Sequence, residues 1–141
     1  MVSRLKQEKF TEEDQILGEL TYIKGRINAS SRVLTDREKT AFYFVVVPEE
    51  MIILDTQKAA KLFAAFDVPI AGYLVNRVVP RELLGQDIPP YLRNRIEMQD
   101  RHMARIQSDL GDQVRALVPE LERDVTGLPM IEKLAGIMYA E

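Results

Sequence analysis

At 141 residues, with 46% hydrophobic and 29% charged side chains, the chain has the composition of one soluble globular domain with a packed core, and not that of a disordered or collagen-like polypeptide. Its net charge of −3, with Lys and Arg scattered among the acids, offers no basic face for nucleic acid; there is no cysteine, so disulfides and thiolate metal sites are both excluded, the single His102 cannot anchor a zinc site by itself, and no metal ligated by this chain is expected. The apolar runs fall far short of the roughly 20 residues that cross a bilayer, and Met1-Val2-Ser3-Arg4-Leu5-Lys6 lacks a signal-peptide core, so the expected address is cytoplasmic.

Residues 11–34 read as a long amphipathic helix, capped by Thr11 with Asp14 reaching back. Ile16, Leu20, Ile23 and Ile27 recur along it at helical spacing, which predicts a face packed against something. After the turn-like Thr35-Asp36-Arg37, the β-branched and aromatic run Thr40 to Val47 is apolar on both faces, as in a buried parallel strand, and Pro48 ends it. Helical spacing returns from Glu49 to Phe66, with Ile52, Ala59, Phe63 and Phe66 on the apolar side and Asp55, Lys58 and Lys61 opposite. Asp67-Val68-Pro69 then turns the chain into a second strand, Ile70 to Asn76, an interval that suits a βαβ crossover.

Pro80, Gly85, Pro89 and Pro90 mark residues 77–90 as a mobile loop. A third helix runs from Pro90 or Tyr91 to Leu110, with Leu92, Ile96, Met103, Ile106 and Leu110 on one stripe. Gln99 falls inside that stripe, where an amide must find a backbone or carboxylate partner. Gly111-Asp112 ends the helix, Val114 to Val118 is a third strand, and Pro129 to Tyr139 a final helix. The predicted architecture is one α/β domain of about three mainly parallel strands with flanking helices.

Three apolar runs thus stop at sharp corners: Val47 at Pro48-Glu49, Val75 at Asn76-Arg77, and Val118 at Pro119. Parallel strands present their C-terminal ends to ligand, so the corners can share one rim of a nucleotide site. No stretch of the form GxxxxGK[ST] occurs to hold a triphosphate. Each corner residue also has a plainer reading: Asn76 as an amide capping the next turn, Glu49 as an acid at a helix start, Pro119 as a strand terminator. Glu120, Glu122 and Asp124 read as a solvated loop face, and His102, between Arg101 and Arg105, as a surface residue.

The ordered set Leu34-Thr35-Asp36…Thr40-Ala41-Phe42…Val45-Val46-Val47-Pro48-Glu49, then Asp55-Thr56-Gln57-Lys58, then Leu74-Val75-Asn76-Arg77-Val78-Val79-Pro80 resembles the ArsA-type anion-transporting ATPases. That family includes arsenite-pump ATPases and the ATPases that deliver tail-anchored membrane proteins. Arg95, Met98-Gln99, Val118-Pro119 and Asp124-Val125-Thr126-Gly127-Leu128 keep the family's order, so the resemblance runs from about residue 34 onward and covers only the C-terminal part of such an ATPase.

The resemblance implies a partial P-loop NTPase-like (SIMIBI-type) three-layer unit, in which residues 1–34 are a leading helix and 35–141 the adenine-side segment. The half with the phosphate loop, switch segments and helical subdomain is absent here. It implies that Asn76 reads the adenine edge, where an amide donates and accepts at once. It also implies that the stretch from Pro119 and Glu120 through Asp124 and Thr126 closes over the base, and that Glu49 contacts nucleotide, in some members across a dimer. ATP or ADP is the implied cofactor, bound weakly. The implied partners are a second copy or a polypeptide with the phosphate-loop half, with membranes met only through a transporter or cargo protein.

Two departures stand out. The family's Glu-Thr-x-Arg is Asp55-Thr56-Gln57-Lys58, which keeps the charge pattern but not the arginine fork. Pro89 and Leu92 occupy the spacing of the CxxC that makes an intersubunit zinc site in many tail-anchored-protein ATPases, so that site cannot form. Three functions remain open: an adenine-side segment inactive alone, a stand-alone α/β dimerisation or interaction module, or an ATPase completed by a partner polypeptide.

Overall fold

The computed structural model describes residues 2–139, with side chains from residue 14 onward. The chain divides into two compact units, Met1–Thr40 and Ala41–Glu141.

In the first unit, α1 (Val2–Thr35) begins nine residues before the expected start. Thr11 therefore lies inside the helix and does not cap it, and its side chain falls outside the described ones. Leu5-Lys6-Gln7-Glu8-Lys9 are all good helix formers, and nothing among them stops the helix. The predicted apolar stripe exists but is uncovered: Ile16, Leu20, Ile23 and Ile27 are all exposed. Asp36 builds the turn that follows. Its Oδ1 accepts the Glu38 N–H at 3.0 Å and its Oδ2 the Lys39 ammonium at 2.6 Å. These contacts, Lys39 first, hold the Asp36 carboxyl below the usual aspartate range. Thr40 Oγ1 donates to the Val33 carbonyl at 2.7 Å, adding a shorter bond to an acceptor that also takes the Asp36 N–H at 3.3 Å at the helix end.

The second unit runs β1 (Phe42–Val46), α2 (Glu50–Ala65), β2 (Ile70–Val78), α3 (Pro90–Leu110), β3 (Val114–Pro119) and α4 (Gly127–Met138). The three strands form one parallel sheet in the order β1-β2-β3, the α/β arrangement expected from the sequence. Part of the expected loop is ordered, as a short 3₁₀ turn over Arg81–Gly85.

One face of the sheet packs against α2 and α3. Phe44 stacks on Tyr73 with ring centroids 5.9 Å apart, and Phe63 of α2 meets Phe42 and Phe44 edge-on at 5.3 and 5.1 Å. Val46, Ile53, Val75 and Ile106 complete a fully buried centre. The buried stripe of α2 is carried by Ile53 and Thr56, whereas Ile52 and Phe66 of the expected stripe are exposed.

The other face is less covered than the unbroken apolar run of β1 predicts. α4 packs along β3, while Tyr43 and Val45 of β1 are 52% and 56% exposed. β1 is thus an edge strand, buried on one face only. Where β2 approaches the start of β3, Gly72 is required by space: a Cβ there would lie 2.8 Å from the Gln113 carbonyl oxygen and 2.6 Å from Arg115 Cγ.

Candidate functional site

Because the strands are parallel, their C-terminal ends share one rim, and the three corners picked out in the sequence lie on it. The middle corner differs from expectation. β2 does not stop at Asn76 but runs on to Val78, and its pairing with β3 shifts register between Val75 and Val78. Within this irregularity Arg77 adopts φ +59°, a left-handed conformation uncommon for a long side chain. Asn76 Oδ1 accepts the Arg77 N–H at 2.8 Å, which supports that backbone. The arrangement is a bulge, a device that re-aims side chains at a strand end. Asn76 keeps one lone pair on Oδ1 and both Nδ2 protons for another partner.

The third corner is tied to the second. Glu120 N–H donates to the Val78 carbonyl at 2.8 Å, extending the pairing past Pro119, and its carboxylate accepts from Arg77 Nε at 2.9 Å. The Glu120 carboxylate, and behind it that of Glu49, raise the already high pKa of the Arg77 guanidinium. At the first corner Glu49 precedes α2 and stands 3.7 Å from Arg95 Nη2 of α3, without a side-chain capping bond of its own. Its carbonyl receives the Ile53 N–H and begins the helix.

Two clefts open between these groups. The larger, about 670 Å³, lies among Pro48, Glu49 and Met51 on one side and Tyr91, Arg95 and His102 on the other, with Arg77 at its edge. The smaller, about 330 Å³, is lined by Arg77, Leu92, Arg95 and Glu120, and so shares both arginines with the first. His102 is half-buried in a cleft wall, not on the open surface as expected. Of the expected site residues, the structure brings Glu49, Asn76, Pro119 and Glu120 to the rim. Glu49 lines the larger cleft and Glu120 the smaller, whereas Asn76 and Pro119 stand at the strand ends and line neither, and Asp124 and Thr126 are exposed on the β3–α4 connection and line neither as well.

Gln99 of α3 braces the rim from below. Its Oε1 accepts the Val79 N–H at 2.8 Å and its Nε2 donates to the Val79 carbonyl at 2.9 Å, both bonds buried. A side-chain amide here completes the hydrogen bonding of a backbone leaving the sheet, as its place in an apolar stripe required. Arg77, Arg95 and Tyr91 were not singled out as site residues from sequence. Only the position of Arg77 directly after a strand-end asparagine could have drawn attention to it.

A family model described as anion-transporting ATPase matches residues 1–140. The chain belongs to that family. The match takes in α1, where the resemblance read from sequence began only near residue 34. Among its relatives is a putative arsenical pump-driving ATPase of Aquifex aeolicus, 29% identical over 82% of this chain and 29% of its own length. An ATPase ASNA1 homolog of Trypanosoma cruzi is 28% identical over 76% of this chain and 30% of its own length. The ATPase GET3A of Arabidopsis thaliana is 26% identical over 85% of this chain and 33% of its own length. The chain therefore spans about a third or less of the length of these three relatives. Among the described residues no group of three or more His, Asp or Glu could hold a metal, and no helix is long and apolar enough to cross a membrane.

Proposed function

We propose that these residues form the adenine-binding side of an anion-transporting ATPase, holding the base and ribose of ATP or ADP weakly. The observation that carries this reading is the bulge at Asn76-Arg77, which sets an amide with spare donors and an acceptor beside the Pro119-Glu120 corner. The site then comprises Glu49, Asn76, Pro119 and Glu120, with Asp124 and Thr126 joining only when the β3–α4 connection folds over a bound base. The triphosphate has no counterpart to the phosphate loop within these 141 residues, so the chain by itself does not turn over ATP. The reading retains the expected cytoplasmic address. It also retains the expected partners, a second copy or a polypeptide bearing the phosphate-loop half, with a membrane reached only through a transporter or cargo protein.

Titration of ¹⁵N-labelled chain with adenosine tests this reading. The amides of Asn76, Arg77 and residues 120–126 are expected to shift together and to saturate, and Asn76→Ala to abolish the shifts while leaving the rest of the spectrum in place. Shifts confined elsewhere, or unchanged by Asn76→Ala, contradict it.

A further inference from the structure

We infer that Arg77 is a positioning residue that latches the β3–α4 connection onto the end of β2, and so sets the shape of the adenine site; the functional half of this inference rests on the reading above. Three observations converge on it. Arg77 holds a left-handed backbone, φ +59°, inside the register shift of β2. A non-glycine residue keeps such a conformation where surrounding contacts fix it, and two do so here: Asn76 Oδ1 takes its N–H at 2.8 Å and Glu120 takes its guanidinium at 2.9 Å. Glu120 is also the residue whose N–H bonds to the Val78 carbonyl at 2.8 Å.

The two residues therefore close a ring of backbone and side-chain contacts around Val78, with an ion pair on one side and a sheet-type hydrogen bond on the other. Beyond Glu120 the connection is exposed from residue 122 to 127, so this ring is the attachment nearest the start of that exposed segment. Arg77 also borders both clefts. Opening the latch frees the connection on one side and the guanidinium on the other, and it removes one of the contacts that fixes the backbone next to Asn76. The pair is exposed, so it is sensitive to salt in a way that an uncharged ligand such as adenosine is not.

The test uses the whole chain and the variants Arg77→Gln, Glu120→Gln and the exchanged pair Arg77→Glu with Glu120→Arg. Without ligand, each single variant is expected to speed amide exchange at Glu120 by about two- to fivefold, the span of a well-formed exposed ion pair. Adenosine affinity is expected to fall by a similar factor. In the wild type it is expected to weaken between low and high salt and in the single variants it is not, and the exchanged pair should restore part of both effects. Exchange at Glu120 identical in wild type and single variants overturns the latch. Faster exchange with unchanged adenosine affinity overturns its positioning role. If adenosine fails to bind the wild type, the adenine reading falls, and the exchange measurement still decides whether Arg77 holds the connection.

Discussion

Gln99 shows how one side chain can carry a strand end. Val79 follows β2, is 7% exposed, and has both backbone polar groups bonded to the Gln99 amide, itself 7% exposed. Leu has nearly the same size and would suit the stripe of α3, but it would leave a buried donor and a buried acceptor without partners. Each costs about 1–3 kcal/mol, so Gln99→Leu is expected to destabilise the chain by about 2–6 kcal/mol, less what the leucine gains by burial in the stripe. Urea unfolding followed by circular dichroism measures this: the midpoint should fall with the slope unchanged. A neutral or stabilising substitution would mean that water replaces the amide at Val79.

At the scale of elements, the strands and helices were legible because proline and glycine punctuate the apolar runs, as at Pro48, Pro69, Gly111 and Pro119, whereas β2 runs through Asn76 to Val78. Facing was harder to read. Ile52 and Ile53 are both apolar, and only packing against the strands decides which one is buried. The bulge at Asn76-Arg77 was not legible, because a register shift belongs to the pairing of two strands. The Arg77–Glu120 contact links residues 43 apart in sequence, and no local spacing announces it. Start and stop signals likewise could not reveal that Asp124 and Thr126 stay away from the clefts.

The two confined glycines make contrasting predictions. At Gly72 an added Cβ meets backbone, the Gln113 carbonyl at 2.8 Å, so Gly72→Ala must spread β2 from the start of β3 and is expected to cost about 1–3 kcal/mol. At Gly111 the added Cβ meets the end of the Gln107 side chain, which can swing away, and φ is −49°, so Gly111→Ala is expected to be tolerated. Thermal unfolding of the two variants side by side checks the contrast. Equal effects would contradict it.

For the whole molecule, the question is what covers its open surfaces. Within the second unit β1 is an edge strand with Tyr43 and Val45 half-exposed, and within the first the stripe of α1 is bare. Unpaired edges and apolar stripes invite association. Sedimentation equilibrium at micromolar concentration is expected to give a mass above the 16.2 kDa of one chain. An ideal monomer would show that these surfaces tolerate water.

The central claim, that these residues frame adenine and ribose without a phosphate site, is tested most directly by calorimetric titration of the chain with adenosine and, separately, with ATP. Both are expected to bind weakly, with dissociation constants on the order of millimolar and agreeing within about threefold, because one set of base contacts contributes only a few kcal/mol. ATP bound about a hundredfold more tightly than adenosine would reveal a phosphate site among these residues and contradict the account.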